Sequence, residues 1–403
     1  MKQIQPADRI ARVEEYYFSR KLAEIARMNA EAAALAAAGQ PAPPQVISLG
    51  VGGPDFLPSE ATIEALVADA RRPDAHGYQP YVGLPELRQA WADFYRTWYS
   101  ADFDPQTEVL PLIGSKEGIL HVTMALVNPG DKVLVPDPGY PTYTSISRLC
   151  GAEVVRYDLT EANGWEPDFE ALDALPDIDS VRLMWVNYPH MPTGKKASAD
   201  LLRRIVDFGR RHGIVIVNDN PYSFILNDRP TSIFQVPGAR DVCMEFNSMS
   251  KTHSMAGWRQ GVVMARAEFI RWVLRVKSNV DSGMFRPMMK AAVAALRNPA
   301  EFYGAQNEAY RERRLVAEDI MRRLGCTFDP AQSGLFLWGR IPDWYADVEA
   351  LTEPVLHGAR VFVTPGFIFG RNGERYVRIS LCAPAERMRE ALRRIEALGL
   401  DGD

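Results

Sequence analysis

The sequence predicts an α/β protein: a large domain with a mostly parallel sheet flanked by helices, joined to a smaller α+β domain. Three observations carry this. Short runs rich in β-branched residues alternate with helical stretches between about residues 106 and 250. Those runs are largely apolar, as strands covered on both faces are. Beyond about residue 265 the alternation gives way to long helical stretches and then to three separate strand-like runs. The expected divisions are 1–58 for an N-terminal helix, a linker and part of the small domain, 59–290 for the large domain, and 291–403 for the rest of the small domain.

Taken in order, residues 8–38 predict a helix ending in the alanine-rich EAAALAAAG, strong in helix propensity. GQPAPPQ breaks it and leads into the short strand VISLGV. Helices are expected at 59–71, where Pro58 and Ser59 are N-terminal signals, and at 86–99, after the aromatic loop HGYQPYVGLP. EVLPLIG precedes a helix at 116–127, DKVLVPD one at 142–150, and AEVVRYDL leads to the strand VRLMWVNYP. A helix at 200–212 precedes GIVIVNDNPY, and DVCMEFNSMS closes the series. Helices from 265 to 324 then lead to strands near GLFLWGR, ARVFVTPG and YVRISLC.

Composition narrows the class. A chain of 403 residues, 47% hydrophobic and 24% charged, suits a soluble globular protein with a sizeable core. A net charge of −5 with mixed signs speaks against nucleic acid as a partner. The cysteines, Cys150, Cys243, Cys326 and Cys382, form no CxxC pair and suit reduced thiols in a cytoplasmic protein. No leader pattern is present, and no apolar run reaches the length of a membrane span. The six histidines include no HExxH, so no metal site is expected.

Ligands of such sheets gather beyond the carboxyl ends of the strands. EVLPLIG ends in GSKEG, a glycine turn and helix start that leave N–H groups of Ser115 to Glu117 free for a phosphate. VLVPD ends in PGYPTY, which places Tyr140 and Tyr143 where rings can cover a flat ligand. GIVIVNDNPY ends in Asp219 and Tyr222, and a carboxylate there needs a cation: a protonated ring nitrogen or a structural arginine. EFNSMSK ends in Lys251, one of only nine lysines among 46 basic residues. It stands in SMSKTHSMAGWRQG, with no charge after it until Arg259. An amine among hydroxyls and apolar groups is destabilised as the ammonium and becomes a nucleophile; the plain alternative is a loop lysine with a buried stem. Phosphate nest, aromatic face, acid and amine are together what pyridoxal 5′-phosphate (PLP) requires.

SMSKTHSMAGWRQG resembles the S-x-S-K…G-x-R signature of the class I and II aminotransferases of PLP fold type I. GSKEG, PGYPTY, PTG at Pro192 to Gly194, DNPY, PGFIFG and YVRIS fall in that family's order. The likeness runs from SLGVGGPDF at Ser48 onward. EEYYFSRKLAEI and GSKEGI look closest to the LL-diaminopimelate, alanine and aspartate aminotransferase branch. The resemblance implies an aspartate aminotransferase-like homodimer with shared sites. Its reaction would be transamination between an L-amino acid and a 2-oxo acid, with glutamate and 2-oxoglutarate as amino partner.

The resemblance also implies roles. Lys251 bonds the cofactor aldehyde and shuttles the substrate's Cα proton. Asp219 pairs with the pyridine nitrogen, Tyr222 hydrogen-bonds the phenolic oxygen, and Tyr140 stacks on the ring. Ser115, Lys116, Glu117, Ser248, Ser250 and Arg259 take the phosphate, and Tyr78 reaches the phosphate in the neighbouring subunit's site. Arg378 grips the substrate α-carboxylate in a fork, with the backbone at Gly52 beside it. One departure stands out: where the family reads N-P-T-G, this chain has Met191, and a thioether cannot donate. Either Tyr222 holds the phenolic oxygen alone, or Asn187 or His190 substitutes.

The resemblance to the aspartate-specific enzymes makes Arg286, in KSNVDSGMFRPM, a candidate for a distal carboxylate in the partner subunit's site, with a surface or interface arginine as the alternative, and Tyr16, Tyr17 and Phe18 are candidates for a lid. His253 is expected to stand behind Lys251, and Lys195 and Lys196 on a solvated face. PLP-dependent β- or γ-elimination, or oxidase chemistry on an amino acid, is the close alternative, and a non-catalytic PLP-fold regulator a remote one. GVGGPDF at Gly50 lacks the third glycine and helix of a dinucleotide fingerprint, which argues against a nicotinamide dehydrogenase.

Overall fold

A computed structural model describes residues 4–13 and 15–399. Its strands are β1 (Ile47–Ser48), β2 (Val109–Leu112), β3 (Lys132–Asp137), β4 (Glu153–Asp158), β5 (Val181–Val186), β6 (Val215–Asp219), β7 (Cys243–Ser248), β8 (Gly261–Ala265), β9 (Thr327–Phe328), β10 (Phe336–Arg340), β11 (Val361–Phe362), β12 (Thr364–Pro365) and β13 (Tyr376–Ser380). Seven of them form one sheet in the order β2-β8-β7-β6-β5-β3-β4. Only β8 runs against its neighbours; the other pairings are parallel. The carboxyl ends of β2, β3, β5, β6 and β7 therefore share one edge, and every strand end singled out above lies along it.

The strands lack alternation because both faces are covered. Leu183 and Trp185 join the core under the helices Ser115–Leu126 and Ala267–Lys277, while Met184 and Val186 join the opposite core under Ala199–His212. The sequence reading did not anticipate β8. A five-residue apolar run is compatible with either element, and antiparallel pairing between β7 and β2 settles it.

A second unit carries an antiparallel sheet, β12-β13-β10-β9, and the parallel pair β1-β11. The pairing of Ile47 with Val361 builds a segment near the N-terminus into the C-terminal unit. ARVFVTPG, expected as one strand, is split at Val363: β11 pairs with β1 and β12 with β13.

The helix expected at 8–38 is also split, into a 3-10 turn at Asp8–Arg12 and a helix at Tyr17–Ala37. Val13 and Tyr16 have extended backbone between them. A tertiary ring contact overrides local propensity there: Tyr17 packs edge-on against Phe367 at 5.6 Å. Glu14, within the expected helix, lies outside the described residues. Among the described residues no helix is long and apolar enough to cross a membrane.

Candidate active site

The strand ends surround a cavity of about 560 Å³. Lys251 enters it from the short helix Met249–Thr252 that follows β7, whose first turn is capped by the Ser248 hydroxyl accepting the Ser250 N–H at 3.1 Å. The Lys251 Nζ donates to the Gly52 carbonyl. Burial pushes its ammonium below the usual 10.5; Arg378 and Arg259 push the same way, while Cys382 and Asp219 oppose. Gly52 is required by packing, since a Cβ there would overlap the Phe336 ring.

Asp219 closes β6. Its Oδ2 accepts the Tyr143 hydroxyl at 2.8 Å, and its Oδ1 is buried without a donor. Tyr143 is locked by parallel stacking on Trp185, centroids 4.9 Å apart, and Tyr140 stands edge-on to it at 5.5 Å. Burial raises the Asp219 carboxyl from 3.8 to about 6, against the pull of Tyr143 and Lys251.

Such a shift is a stability statement. A carboxyl with a raised folded pKa costs nothing while protonated in both states; its penalty grows from about pH 4 to pH 6 and is constant above. We therefore expect Asp219→Asn to stabilise the cofactor-free protein by about 3 kcal/mol at pH 8 and by nothing at pH 4. Thermal unfolding at the two pH values checks this, and an equal change at both would count against it.

The cradle lies after β2. Gly114 has φ +80°, and a Cβ there would collide with the Arg259 guanidinium. The first helical bond is Gly118 N–H to Gly114 O, at 3.5 Å, so the N–H groups of Ser115, Lys116 and Glu117 have no acceptor within the helix. The Ser115 hydroxyl is buried and unpartnered. Arg259, at φ +55°, places Nη1 3.5 Å from the Ser250 Oγ. Lys116 holds its ammonium 5.0 Å over the Tyr16 ring.

Glu117 offers the cradle its N–H while its side chain is engaged elsewhere. Its carboxylate accepts the Ile113 N–H at 2.7 Å and lies 2.8 Å from His121 Nε2, outside the cavity. His121 in turn is 3.8 Å from Asp281, which Lys277 neutralises at 2.6 Å. A carboxylate would repel an anion, and this arrangement turns it into a brace for the loop before the cradle.

Arg378 comes from β13, between Trp338 of β10 and Thr364 of β12. Its guanidinium is walled by Phe336 at 3.8 Å, Phe369 at 4.5 Å and Phe18 at 5.8 Å. Nη2 donates to the Gly50 carbonyl at 2.8 Å, Nη1 lies 3.2 Å from the Met191 sulfur, and Nε has no partner. Burial lowers its pKa to about 10, so it stays charged at neutral pH. Buried Arg313, Arg314 and Lys277 each lie against a carboxylate, Asp55, Glu318 and Asp281 respectively. Among the described residues Arg378 has none.

The remaining expectations divide. Ser248, Ser250, Asn187, Tyr140 and Tyr222 line the cavity, as do Tyr16 and Phe18, whereas Tyr17 turns away toward Phe367. Asn187 clasps the backbone, accepting the Met191 N–H at 2.8 Å and donating to the Asp219 carbonyl. His190 is buried against Thr193 at 2.8 Å, its pKa lowered to about 3 by burial, and it is its place outside the cavity that removes it as a substitute donor. His253 is likewise outside, 3.1 Å from the Tyr303 hydroxyl. Arg286 lies outside this chain's cavity, where it meets Asp69 at 3.3 Å and Asp74 at 3.0 Å. Tyr78 stands 93% exposed, away from this chain's cavity. Lys195 pairs with Glu166 at 3.0 Å, and Lys196 is exposed. The role of Tyr143 and the lining by Leu22, Val51, Phe336 and Phe369 were missed. The three-residue spacing of Tyr140 and Tyr143 at a helix start was a usable signal for the first; nothing local signals the others.

An amine, a lone carboxylate, an anion cradle and a lone guanidinium facing one cavity at the sheet edge define the site of an aminotransferase. The family model for aminotransferase class I and II matches residues 44–395, and the chain belongs to that family. The LL-diaminopimelate aminotransferase of Oleidesulfovibrio alaskensis is 39% identical over 99% of this chain and 100% of its own. That of Desulforudis audaxviator is 42% identical over 87% of this chain and 89% of its own. Substrate-bound BacF from Bacillus subtilis superposes with a TM-score of 0.90 at 33% identity, covering 100% of this chain and 99% of BacF. An aspartate aminotransferase double mutant from Thermus thermophilus superposes at 0.86 with 25% identity, covering 98% and 100%. The expected aspartate aminotransferase-like fold and transamination stand.

Proposed function

We propose that this aminotransferase works with PLP, held as a homodimer in the cytoplasm, and moves an amino group between an L-amino acid and a 2-oxo acid, with glutamate and 2-oxoglutarate as amino currency. The observation that carries the cofactor is the set of buried polar atoms without partners, Asp219 Oδ1, Ser115 Oγ and Arg378 Nε, around a single cavity. Buried polar groups are normally satisfied, and a cationic ring nitrogen, a phosphate and a carboxylate would satisfy these three in turn.

On this reading residues 59–290 form the cofactor domain, and 1–58 with 291–403 the small domain that carries Arg378. When bound, PLP supplies an electron sink that acidifies the substrate's Cα–H. The chain supplies the rest. Asp219 keeps the pyridine nitrogen protonated, and Tyr143 keeps Asp219 oriented. The cradle at Ser115 to Glu117, with Ser248, Ser250 and Arg259, holds the phosphate. Lys251 Nζ, its charged form disfavoured by burial, would take the proton from Cα and deliver it to the cofactor carbon two atoms further on. Arg378 and the backbone at Gly52 hold the α-carboxylate, so that the Cα–H faces the lysine. The exposure of Tyr78 supports its placement against a second subunit.

The test is the absorbance of the purified protein on addition of L-glutamate without an oxo acid. Loss of the yellow band with one equivalent of 2-oxoglutarate per site is expected. Release of ammonia would favour elimination or oxidase chemistry, and a protein that takes up no PLP would overturn the proposal. Met191 adds a sharper expectation. Restoring a donor beside the phenolic oxygen by Met191→Asn should lower the pH midpoint of the bound cofactor's colour change by about one unit. Unchanged midpoints would mean that Tyr222 already suffices.

A further inference from the structure

We infer that His121, Lys277 and Asp281 are positioning residues shared by two sites: one end of their network sets this chain's phosphate cradle, and the other holds the loop offered to the partner subunit. The inference rests on the cofactor and shared-site reading above. None of the three lines the cavity, yet His121 and Lys277 are wholly buried, where such polar groups persist only with partners.

The first end is the cradle. His121 Nε2 lies 2.8 Å from Glu117 Oε1, and since a carboxylate only accepts, the hydrogen belongs to the imidazole. The other Glu117 oxygen accepts the Ile113 N–H at 2.7 Å, which fixes the chain as it enters Gly114. A carboxylate in the first turn of a helix is drawn to the same free N–H groups that a phosphate needs. His121 holds it back, and those donors stay open.

The second end is a loop. Asp281 Oδ2 meets Lys277 Nζ at 2.6 Å and stands 3.8 Å from His121 Nε2, while its Oδ1 accepts the Gly283 N–H at 2.8 Å. Burial alone would raise the Asp281 carboxyl; Lys277 and the Gly283 N–H hold it below its usual 3.8. Gly283 has φ +83°, and a Cβ there would come within 2.6 Å of the Gln79 carbonyl oxygen, so the two backbones are in direct contact. Two residues further on, Phe285 takes the His76 ring at 5.9 Å. Tyr78 sits in the chain between these two contacts, 93% exposed. One buried charge cluster therefore braces the cradle on one side and the base of the Tyr78 loop on the other.

Hybrid dimers, purified through two different tags, separate the two ends. One chain keeps Lys251 and its partner carries Lys251→Ala, so that borohydride fixes PLP irreversibly to the first chain alone. The mass of that chain, read across a PLP titration, gives the half-saturating concentration of a single site. Lys277→Met and Asp281→Ala are introduced together, so that no buried ammonium is left without its carboxylate. On the chain that keeps Lys251 they disturb the cradle, and half-saturation should rise about 10-fold. On the silent chain they disturb only the loop it offers, and the rise should be about 5-fold. Lys277→Met with Asp281→Asn keeps an acceptor for the Gly283 N–H and should return the silent-chain value to within about 2-fold of the reference. A change below about 2-fold from the Lys251-bearing chain, or a silent-chain loss that the asparagine does not restore, would overturn the inference. Tyr78→Ala on the silent chain is the control. If it weakens PLP while the paired substitutions there do not, the inference fails; if neither does, the shared-site reading fails and takes the second end with it. A reference hybrid that traps no PLP would overturn the cofactor reading itself.

Discussion

Lys251→Ala should leave a folded protein that still takes up PLP but converts it with any amino donor about 10⁴-fold more slowly than wild type. Two features separate the outcomes. Uptake rests on the cradle at Ser115 to Glu117, on Arg259 and on Asp219, and substitution of Lys251 touches none of their hydrogen bonds. Conversion rests on a base within reach of Cα. Other groups on the wall are poorly placed for that proton: the buried Arg378 keeps its charge at neutral pH, the Asp219 carboxylate is turned to Tyr143, and the Lys116 ammonium lies over the Tyr16 ring. Rapid-mixing spectroscopy with saturating donor measures the step directly. A variant that kept a tenth of the wild-type rate would remove Lys251 from the role. Removing the amine also relieves a buried group whose charged form is disfavoured, so the cofactor-free variant should be no less stable than wild type.

Arg378→Met should lower kcat/KM about 10³-fold, mostly through KM, while stabilising the cofactor-free protein by about 1–3 kcal/mol. The opposite signs follow from one fact. A guanidinium enclosed by three phenyl rings, with one carbonyl and one sulfur for company, is an uncompensated buried charge. It is costly in the empty protein and valuable when a carboxylate arrives. A thioether chain fills the same apolar slot without the charge. Arg378→Lys keeps the charge and loses the fork, and should fall between, at about 10²-fold. Steady-state kinetics with a donor concentration series, beside thermal unfolding, gives both halves. A loss of activity under about 5-fold would place the α-carboxylate elsewhere, and an unstable Arg378→Met would mean that the guanidinium is structural.

Much of this site was legible before any coordinates. Asp219 and Lys251 announce themselves because charged residues at the ends of largely apolar strands have no local reason to be there. GSKEG is legible because a glycine turn into a helix exposes backbone donors whatever surrounds it. Glu117 was legible only in part: its N–H belongs to the cradle, but its carboxylate answers to Ile113 and His121, and no rule of spacing reveals that. His190 and Asn187 were equal candidates in the sequence, one and four positions from Met191. In the fold His190 is buried against Thr193 and Asn187 lines the cavity. Arg286 looked free until Asp69 and Asp74, more than 200 positions away, closed on it.

The sequence by itself determined the alternation of elements, the both-faced burial of the strands and the chemistry at their ends, because these depend on residues adjacent in the chain. Only the tertiary structure decided which charges stay unpaired. A charge is paid for or left lone by whatever packs against it, and for Arg378 that is Phe18, Met191, Phe336 and Phe369, drawn from four distant segments. The split of the first helix at Tyr16, the reversal of β8 and the apolar wall of the cavity have the same origin. Each is settled by contacts between residues that local propensity cannot relate.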